Sequence, residues 1–265
     1  GMILAEDEIG IGEDHSGISI INKSKAYNFK ANNFGESFFS ILTKDAKSLL
    51  YNTFNIITLT PELKKKIALI RSVGNTDTGG EIVGEEELLK ILTSGEELYS
   101  YDGFEPSGQM HIAQGIIRAI NTNKMIKAGF TFRMYVADWF GYLNNKMGGD
   151  IEKIRDVGQY FIEIWRASGM DLENTEFIWN SEVAKDHEYW ELGMRIAKNT
   201  SLKRSLKTTE IMGRDENDDL SASQILYPAM QTADIFHVVK AQVTELGMDQ
   251  RKVNMLAREL GEELG

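Results

Sequence analysis

The sequence predicts an α/β fold in which a Rossmann-like parallel sheet is flanked by helices. Short apolar or alternating runs that favour strands recur along the chain, and amphipathic stretches that favour helices lie between them. The strand-like runs lie at 97–101, 130–138, 176–179 and 238–244. Such alternation is typical of βαβ units, whose right-handed crossovers place the carboxyl ends of the strands at one edge. We expect a ligand at that edge.

The composition indicates an ordinary globular protein rather than a membrane or disulfide-stabilised one. The 265 residues are 42% hydrophobic and 26% charged and include no cysteine, and no apolar run approaches the length of a membrane span. We therefore expect a cytoplasmic protein with no membrane partner and no thiolate metal site. The four histidines are scattered along the chain, so no metal site is expected.

The formal net charge of −11 argues against a protein that coats nucleic acid. Contact with a polynucleotide therefore requires a local basic patch. One candidate patch consists of Lys198, Lys203, Arg204 and Lys207. The alternative for these four residues is a solvated helix face, which is the usual role of such a run of charges.

The chain changes character near residue 60. Residues 1–60 show no recognisable chemistry and are interpreted as an N-terminal extension of unknown role. Thr60-Pro61-Glu62 is a helix start, because it combines an N-cap residue, a proline at the first helical position and an acid in the first turn. Residues 61–265 are expected to form a Rossmann-like domain.

A glycine-containing turn between the strand at 97–101 and a helix predicted for 116–127 is the first candidate site. Gly103 and Gly108 allow backbone to approach a ligand closely, and His111 lies where the helix begins. A helix N-terminus after a strand and a glycine loop favours phosphate. An ordinary βα turn with a half-exposed histidine remains the alternative. The loop matches neither G-x-x-x-x-G-K-[ST] nor G-x-G-x-x-G, which disfavours a P-loop kinase and a plain dehydrogenase.

A line of polar residues interrupts the apolar pattern of a helix predicted for 221–235. Tyr227, Gln231 and Asp234 are spaced i, i+4 and i+7, so they project from a single face. A solvated face usually carries Lys and Glu, which favours a pocket here, although a wet surface remains the alternative. A further turn at 247–251 supplies polar groups before the last helix, and its alternative is a simple helix cap.

Together these motifs resemble those of class I aminoacyl-tRNA synthetases, and their flanks are similar to the tyrosyl-tRNA synthetases of eukaryotes and archaea. Tyr101-Asp-Gly-Phe-Glu-Pro-Ser-Gly followed by His111-Ile-Ala-Gln resembles the first-helix motif of that class, whose usual form is His-Ile-Gly-His. The other matching segments are 136–140, 144–150, 223–234 and 246–259. The resemblance runs from about residue 62 to the end. It implies that residues 61–265 form the class I synthetase catalytic domain, incomplete at its C-terminal end.

The resemblance implies a pocket for L-tyrosine. Tyr101 and Asp234 would hold the phenol of the substrate. Tyr227 and Gln231 would lie around the substrate amino group, and Gln250 would help to position the carboxyl end. The polar line on the helix and the turn before the last helix then belong to one pocket.

The resemblance also implies a site for ATP, which brings Mg²⁺ with it. Gly103 and Gly108 would give backbone clearance, and His111 would assist at the phosphates by stabilising their negative charge. Gly247 and Asp249 would lie toward the ribose.

The chain departs from the family pattern in three places. Gln114 stands where the usual motif has its second histidine, and it is assigned to catalysis together with His111. The second ATP motif of the family, Lys-Met-Ser-Lys-Ser, does not occur in these 265 residues. One extra residue lies between Asp234 and Gln250, which affects the register of the strand predicted for 238–244.

The implied function is that of a tyrosine–tRNA ligase, which forms tyrosyl-adenylate from L-tyrosine and ATP and transfers the tyrosyl group to tRNA(Tyr). One alternative is a non-catalytic binding or dimerisation module derived from a synthetase, favoured by the missing lysine motif. Another is tryptophanyl-tRNA synthetase, against which Tyr101 and Asp234 argue. The resemblance further implies a homodimer with its interface in about 140–200, where Trp165 belongs either to that interface or to the core.

Overall fold

A computed structural model describes residues 60–74, 81–213, 219–245 and 247–264, together with four strands nearer the N-terminus. These strands are β1 (Ile3–Leu4), β2 (Gly17–Asn22), β3 (Lys25–Lys30) and β4 (Ile56–Ile57). β1 and β4 pair in parallel, and β2 and β3 are antiparallel. The contacts divide the chain into two compact units, one of residues 1–71 with 81–96 and one of 72–80 with 97–265. A domain boundary near residue 60 stays a prediction.

The first unit contains two helices that begin as their local sequences require. In α1 (Pro61–Arg71), the hydroxyl of Thr60 accepts a hydrogen bond from the main-chain N–H of Leu63 at 3.1 Å, which confirms the predicted cap. The first turn of α2 (Glu85–Thr93) carries three acids, which interact favourably with the positive end of the helix dipole. Leu63 and Leu89 are buried together and join the two helices.

The second unit is built on a parallel sheet of four strands, which confirms the predicted fold class. The strands are β5 (Leu98–Phe104), β6 (Phe130–Val136), β7 (Thr175–Trp179) and β8 (Val243–Thr244). Their order across the sheet is β7-β6-β5-β8, and every neighbouring pair is parallel. Phe104 lies opposite Val136, and Val136 lies opposite Trp179, so the carboxyl ends of three strands are level at one edge.

Helices flank this sheet, as the apolar periodicity predicts. In chain order they are α3 (Ile112–Lys127), α4 (Asp138–Leu143), α5 (Ile151–Ala167), α6 (Asn180–Val183), α7 (His187–Asn199), α8 (Leu202–Thr208), α9 (Ala222–Ala233) and α10 (Arg251–Leu264). Side chains cap the N-termini of five of them, from His111, Asp150, Asp186, Ser201 and Ser221. Each cap satisfies a main-chain N–H that has no partner inside its helix.

The strand predicted for 238–244 is wrong over most of its length. Residues Asp234–Val239 continue α9 as a π-helix, and only Val243–Thr244 pair with the sheet as β8. The apolar run at 235–239 resembles a strand, but its main chain forms a π-helical turn in which Ile235 and Val239 are buried. Arg133 donates to the carbonyl of Val239 at 2.6 Å, which satisfies the end of that turn.

The core between α3, α5 and the sheet centres on Trp165. Its side chain is 1% exposed, and its indole N–H donates to the carbonyl of Gln114 at 3.3 Å. The ring meets Phe104 edge-on with centroids 4.4 Å apart and stacks on Phe177 at 6.4 Å. Of the two alternatives for Trp165, the structure therefore selects the core.

Two helical glycines provide a test of this packing. A methyl group on Gly158 of α5 would come within 2.9 Å of the Trp179 ring and 3.1 Å of Val136, whereas one on Gly193 of α7 would meet no atom within 4 Å. We expect Gly158→Ala to lower the free energy of unfolding by about 1–2 kcal/mol, because overpacking outweighs the gain in helix propensity. The matched control, Gly193→Ala, should raise it by about 0.5–1 kcal/mol. Urea unfolding measures both, and equal effects would contradict the assigned contact between α5 and the sheet.

Candidate active site

Two turns meet at the carboxyl edge of the sheet. β5 leads through 105–111 into α3, and β8, which pairs with β5 in parallel, leads through 245–250 into α10. The two strands are tied at Tyr101, whose carbonyl accepts a hydrogen bond from the N–H of Glu245 at 2.6 Å. The two turns predicted to form a site therefore follow adjacent strand ends, as that prediction requires.

The carboxylate of Asp234 lies fully buried within a cluster of tyrosines. Tyr101, Tyr135, Tyr189 and Tyr227 all belong to one buried core cluster, and each is less than a tenth exposed. The hydroxyl of Tyr135 donates to Oδ1 of Asp234 at 2.6 Å. Among the described residues nothing donates to Oδ2, which is buried as well. A buried carboxylate oxygen without a donor is costly, so Oδ2 is the group in this cluster that most needs a partner.

Burial controls the protonation of this cluster. Loss of solvent raises the pKa of Asp234 to about 8, and the phenols of Tyr135 and Tyr189 oppose that rise by stabilising the ionised form. Burial also raises the pKa of Tyr101, and the charge of Asp234 raises it further. The phenols consequently keep their protons and act as hydrogen-bond donors, while Asp234 titrates near neutral pH.

A second polar group lies beside the tyrosine cluster and joins α9 to the two turns. Tyr227 donates to the carboxylate of Glu105 at 3.1 Å. Gln231, one turn further along α9, donates to the side-chain oxygen of Gln250 at 3.1 Å. Gln250 in turn donates to the carbonyl of Ile211 at 2.8 Å. Gln231 thus contacts Gln250 directly, Tyr227 lies one turn earlier on the same helix, and the assignment of all three to a substrate pocket remains a prediction.

The N-terminus of α3 is closed by a reciprocal pair of side chains. Nδ1 of His111 accepts from the N–H of Ala113 at 3.2 Å, and the amide oxygen of Gln114 accepts from the N–H of His111 at 3.2 Å. Both side chains are exposed. Because Nδ1 is an acceptor, a neutral His111 carries its proton on Nε2, which is free of this cap. Gln114 therefore has a structural role, and catalytic roles for the pair remain predictions.

Gly103 and Gly247 lie close to neighbouring side chains, and Gly108 has a backbone conformation that favours glycine. A side chain at Gly103 would crowd the hydroxyl of Tyr101, since its Cβ would lie 3.1 Å away. Gly108 has a φ of +139°, which favours glycine. A Cβ on Gly247 would collide with the carboxylate of Asp249, which also accepts from the amide of Gln250 at 2.8 Å. Gly247 and Asp249 are exposed at the edge, where a large ligand has access.

A buried ion cluster supports this edge from below. Asp102 on β5 forms an ion pair with Arg118 of α3 and accepts from the N–H of Gly103 at 2.7 Å. Burial raises the pKa of Glu245 to about 7, while the positive charge of Arg118 favours its ionised form. The cluster fixes β5, α3 and the turn after β8 to one another, because removal of any one charge would leave another buried without compensation.

The sequence analysis overlooked several residues that surround the candidate pocket. They are Glu105, Tyr135, Asn180 and Tyr189. Glu105 and Asn180 each directly follow a strand, at the edge where a ligand is expected, so their position was a usable signal. Tyr135 and Tyr189 gave no such signal, because an aromatic residue in a buried strand or helix resembles ordinary core.

Polar clusters outside this edge have local structural explanations. Asp186, Glu188 and His237 offer ligand atoms within 4.8 Å of one another, but Asp186 caps α7 and lies 2.7 Å from Nε2 of His237. In the basic patch, Lys198, Lys203 and Lys207 are exposed, and Arg204 pairs with Glu259 at 3.0 Å. Among the described residues no helix is long and apolar enough to cross a lipid bilayer.

The raised pKa of Asp234 has a consequence for stability. The folded state holds the proton up to about pH 8, whereas the unfolded chain releases it at the ordinary pKa of 3.8. Stability contributed by this group therefore falls as pH rises through that window. We expect Asp234→Asn, which removes the titration, to raise the thermal midpoint by several degrees at about pH 8, and by progressively less toward about pH 5. A gain independent of pH in thermal scans would contradict the assignment.

Comparison with known proteins places this geometry in a family. Residues 93–265 match the family model described as tRNA synthetases class I (W and Y). Tyrosine–tRNA ligase 1, cytoplasmic, of Arabidopsis thaliana is 51% identical over 208 residues, which make up 78% of this chain and 52% of that protein. The chain spans about half the length of the curated relatives it matches.

Solved structures give the same placement. The tyrosyl-tRNA synthetase of Leishmania major in complex with tyrosinol has a TM-score of 0.71 and 45% identity, covering 78% of this chain and 30% of that chain. The tyrosyl-tRNA synthetase of Pyrococcus horikoshii complexed with L-tyrosine has a TM-score of 0.70 and 31% identity, covering 76% of this chain and 54% of that one. The protein therefore belongs to the class I aminoacyl-tRNA synthetases of the tryptophan and tyrosine type.

Proposed function

We propose that this protein is a tyrosine–tRNA ligase, which activates L-tyrosine with ATP and transfers the tyrosyl group to tRNA(Tyr). The observation that carries the proposal is the buried carboxylate of Asp234, whose Oδ2 has no donor among the described residues, beside the phenol of Tyr101. The phenolic hydroxyl of a bound tyrosine can donate to that oxygen and accept from Tyr101. The curated relatives bear the name tyrosine–tRNA ligase, which supports this substrate.

Selectivity against phenylalanine follows from the same groups. Phenylalanine has no hydroxyl, so Oδ2 of Asp234 and the hydroxyl of Tyr101 would be sealed from water without partners. Each such unsatisfied group costs about 1–3 kcal/mol, and a charged group costs more. The pocket therefore rejects phenylalanine through loss of hydrogen bonds, and not through a difference in volume.

The other end of the substrate would lie against the second polar group. Tyr227, held by Glu105, and Gln231 would surround the ammonium group, with Glu105 supplying negative charge nearby. Gln250, anchored to the carbonyl of Ile211, would hold the carboxyl end. This arrangement aims the substrate carboxylate toward the exposed edge, where Gly247 and Asp249 would meet the ribose of ATP.

Chemistry would take place at the N-terminus of α3. An oxygen of the tyrosine carboxylate attacks the α-phosphate of ATP, a P–O bond forms, and pyrophosphate leaves with its bonding electrons. The 3′-terminal hydroxyl of tRNA then attacks the activated carbonyl carbon and AMP departs. His111 and the positive end of α3 would stabilise charge on the phosphate oxygens, with Gly103 and Gly108 giving clearance. Mg²⁺ enters as part of the ATP substrate and stabilises charge on the leaving pyrophosphate.

The assembly and location are proposals of the same kind. We propose a cytoplasmic homodimer whose interface lies within 140–200. That region exposes the large apolar side chains of Tyr142, Met147, Tyr160 and Met194, which favours contact with a second copy.

Isothermal titration with tyrosine and tryptophan, together with ATP–pyrophosphate exchange, tests the proposal. We expect tyrosine to bind at least about 100-fold more tightly than tryptophan, because the indole places no hydroxyl between Tyr101 and Asp234. We also expect exchange that depends on tyrosine. Preference for tryptophan would favour the sister synthetase. Tyrosine binding without exchange would favour a non-catalytic module derived from a synthetase.

The two roles of His111 can be separated by two substitutions. His111→Ala removes the helix cap and the imidazole, so we expect a lower thermal midpoint and a fall of about 10- to 100-fold in the exchange rate. His111→Asn keeps a good N-cap side chain, so stability should be retained while the exchange rate still falls. Full activity in the asparagine variant would show that His111 acts only as a cap.

A further inference from the structure

A chain of three buried side chains runs from the end of β7 to the carboxylate of Asp234. The amide nitrogen of Asn180 donates to the hydroxyl oxygen of Tyr135 at 2.6 Å, and Tyr135 donates to Oδ1 of Asp234 at 2.6 Å. All three residues are at most 1% exposed. They come from three different elements: Asn180 begins α6, Tyr135 lies near the end of β6, and Asp234 ends α9.

The direction of these hydrogen bonds is fixed by chemistry. The amide nitrogen of Asn180 can only donate, so the oxygen of Tyr135 is the acceptor in the first bond. Tyr135 keeps its own proton, because burial raises its pKa well above the ordinary value. That proton must then be given to Oδ1 of Asp234. These two hydrogen bonds, from Asn180 to Tyr135 and from Tyr135 to Asp234, form a relay. The relay occupies Oδ1 and leaves Oδ2 as the acceptor that faces an incoming ligand.

Tyr189 also favours the ionised form of Asp234, but the described hydrogen bonds of Tyr189 and Tyr227 go to other acceptors. Tyr189 donates to the carbonyl of Met230 at 3.3 Å, and Tyr227 donates to Glu105 at 3.1 Å. Tyr101 is coupled to Asp234 through its charge and lies edge-on to Tyr135, with ring centroids 6.2 Å apart. Tyr135 thus makes the shortest described hydrogen bond to Asp234, and the tyrosines are the titratable groups that face this carboxylate.

We infer that Tyr135, anchored by Asn180, is a positioning residue that fixes Asp234 with Oδ2 free, and thereby determines selectivity for a phenolic over a phenyl substrate. The inference rests on the proposed function, since it assigns the phenol of tyrosine to that oxygen. Tyr135 itself need not touch the substrate. It acts by holding the carboxylate in one orientation and by opposing the rise in its pKa that burial causes.

Tyr135→Phe removes the hydroxyl and keeps the ring, so it tests the relay directly. Without its donor, Oδ1 is unsatisfied and the carboxylate holds its proton to higher pH. We expect KM for tyrosine in pyrophosphate exchange to rise about 10-fold, while kcat changes by less than about 3-fold because the reacting carboxylate lies at the other end of the substrate. Selectivity for tyrosine over phenylalanine should fall by about the same factor as KM rises.

The pH dependence gives a readout that a purely structural role would not move. In the parent protein, tyrosine binding should strengthen as pH rises through the pKa of Asp234, which is about 8. In Tyr135→Phe that inflection should move to higher pH. Tyr99→Phe makes the same chemical change near the start of β5, where the hydroxyl donates to Glu97 at 2.7 Å, and it should leave KM, selectivity and the pH profile unchanged.

A second variant keeps the inference testable if Tyr135→Phe does not fold. Asn180→Ala retains the hydroxyl of Tyr135 but releases its anchor, and it should reproduce the loss of selectivity to a smaller extent. Suppose that a folded Tyr135→Phe protein has unchanged selectivity and an unchanged pH profile, while Asp234→Asn abolishes tyrosine binding. That result would overturn the role of Tyr135 and leave the proposed function standing. Tyrosine binding unaffected by Asp234→Asn would instead overturn the proposed pocket itself.

Discussion

The structure depends on one buried carboxylate. Asp234 has no exposed surface, and its pKa of about 8 shows how strongly the surrounding core disfavours its charge. A buried acid is tolerated only where donors converge on it. Here Tyr135 on β6 donates to Asp234, and Asn180, which follows β7, donates to Tyr135. The register of β6 and β7 keeps the ends of these strands level and also brings those groups together.

A second set of charged residues, next to the carboxyl edge of the sheet, also connects different elements. Asp102 on β5 pairs with Arg118 on α3, and the charge of Arg118 favours the ionised form of Glu245 in the turn after β8. These interactions couple the two turns. Tyr101 directly precedes Asp102, and its carbonyl accepts a hydrogen bond from the N–H of Glu245. Tyr101, which faces the proposed phenol site, therefore lies next to the contacts that position the turn at the proposed ATP site.

Much of the fold was predictable because local signals agreed with the tertiary structure. The cap and periodicity of α5 required no knowledge of distant contacts. The segment at 238–244 failed because an apolar run has no period of its own to separate a strand from a π-helix. In the site, the spacing of Tyr227, Gln231 and Asp234 was visible in sequence as polar residues on one helical face. The relay was not, because only the β6–β7 register brings Asn180 beside Tyr135.

The two ends of the proposed site differ in burial, and this difference constrains how its selectivity could change. At the phosphate end His111 and Asp249 are exposed, so substitutions there need not disturb the core. At the phenol end, replacing Asp234 alone by an apolar residue would leave the hydroxyl of Tyr135 without its acceptor, while Asn180 would still donate to it. A ligand with an apolar or indole side chain would then face buried polar groups that have no hydrogen-bond partner. The cost of those groups is about as large as the cost of the unpaired Asp234 that the substitution removes. A productive change of substrate therefore requires coordinated substitutions on β6, α6 and α9, which is why the relay and the carboxylate should be altered together.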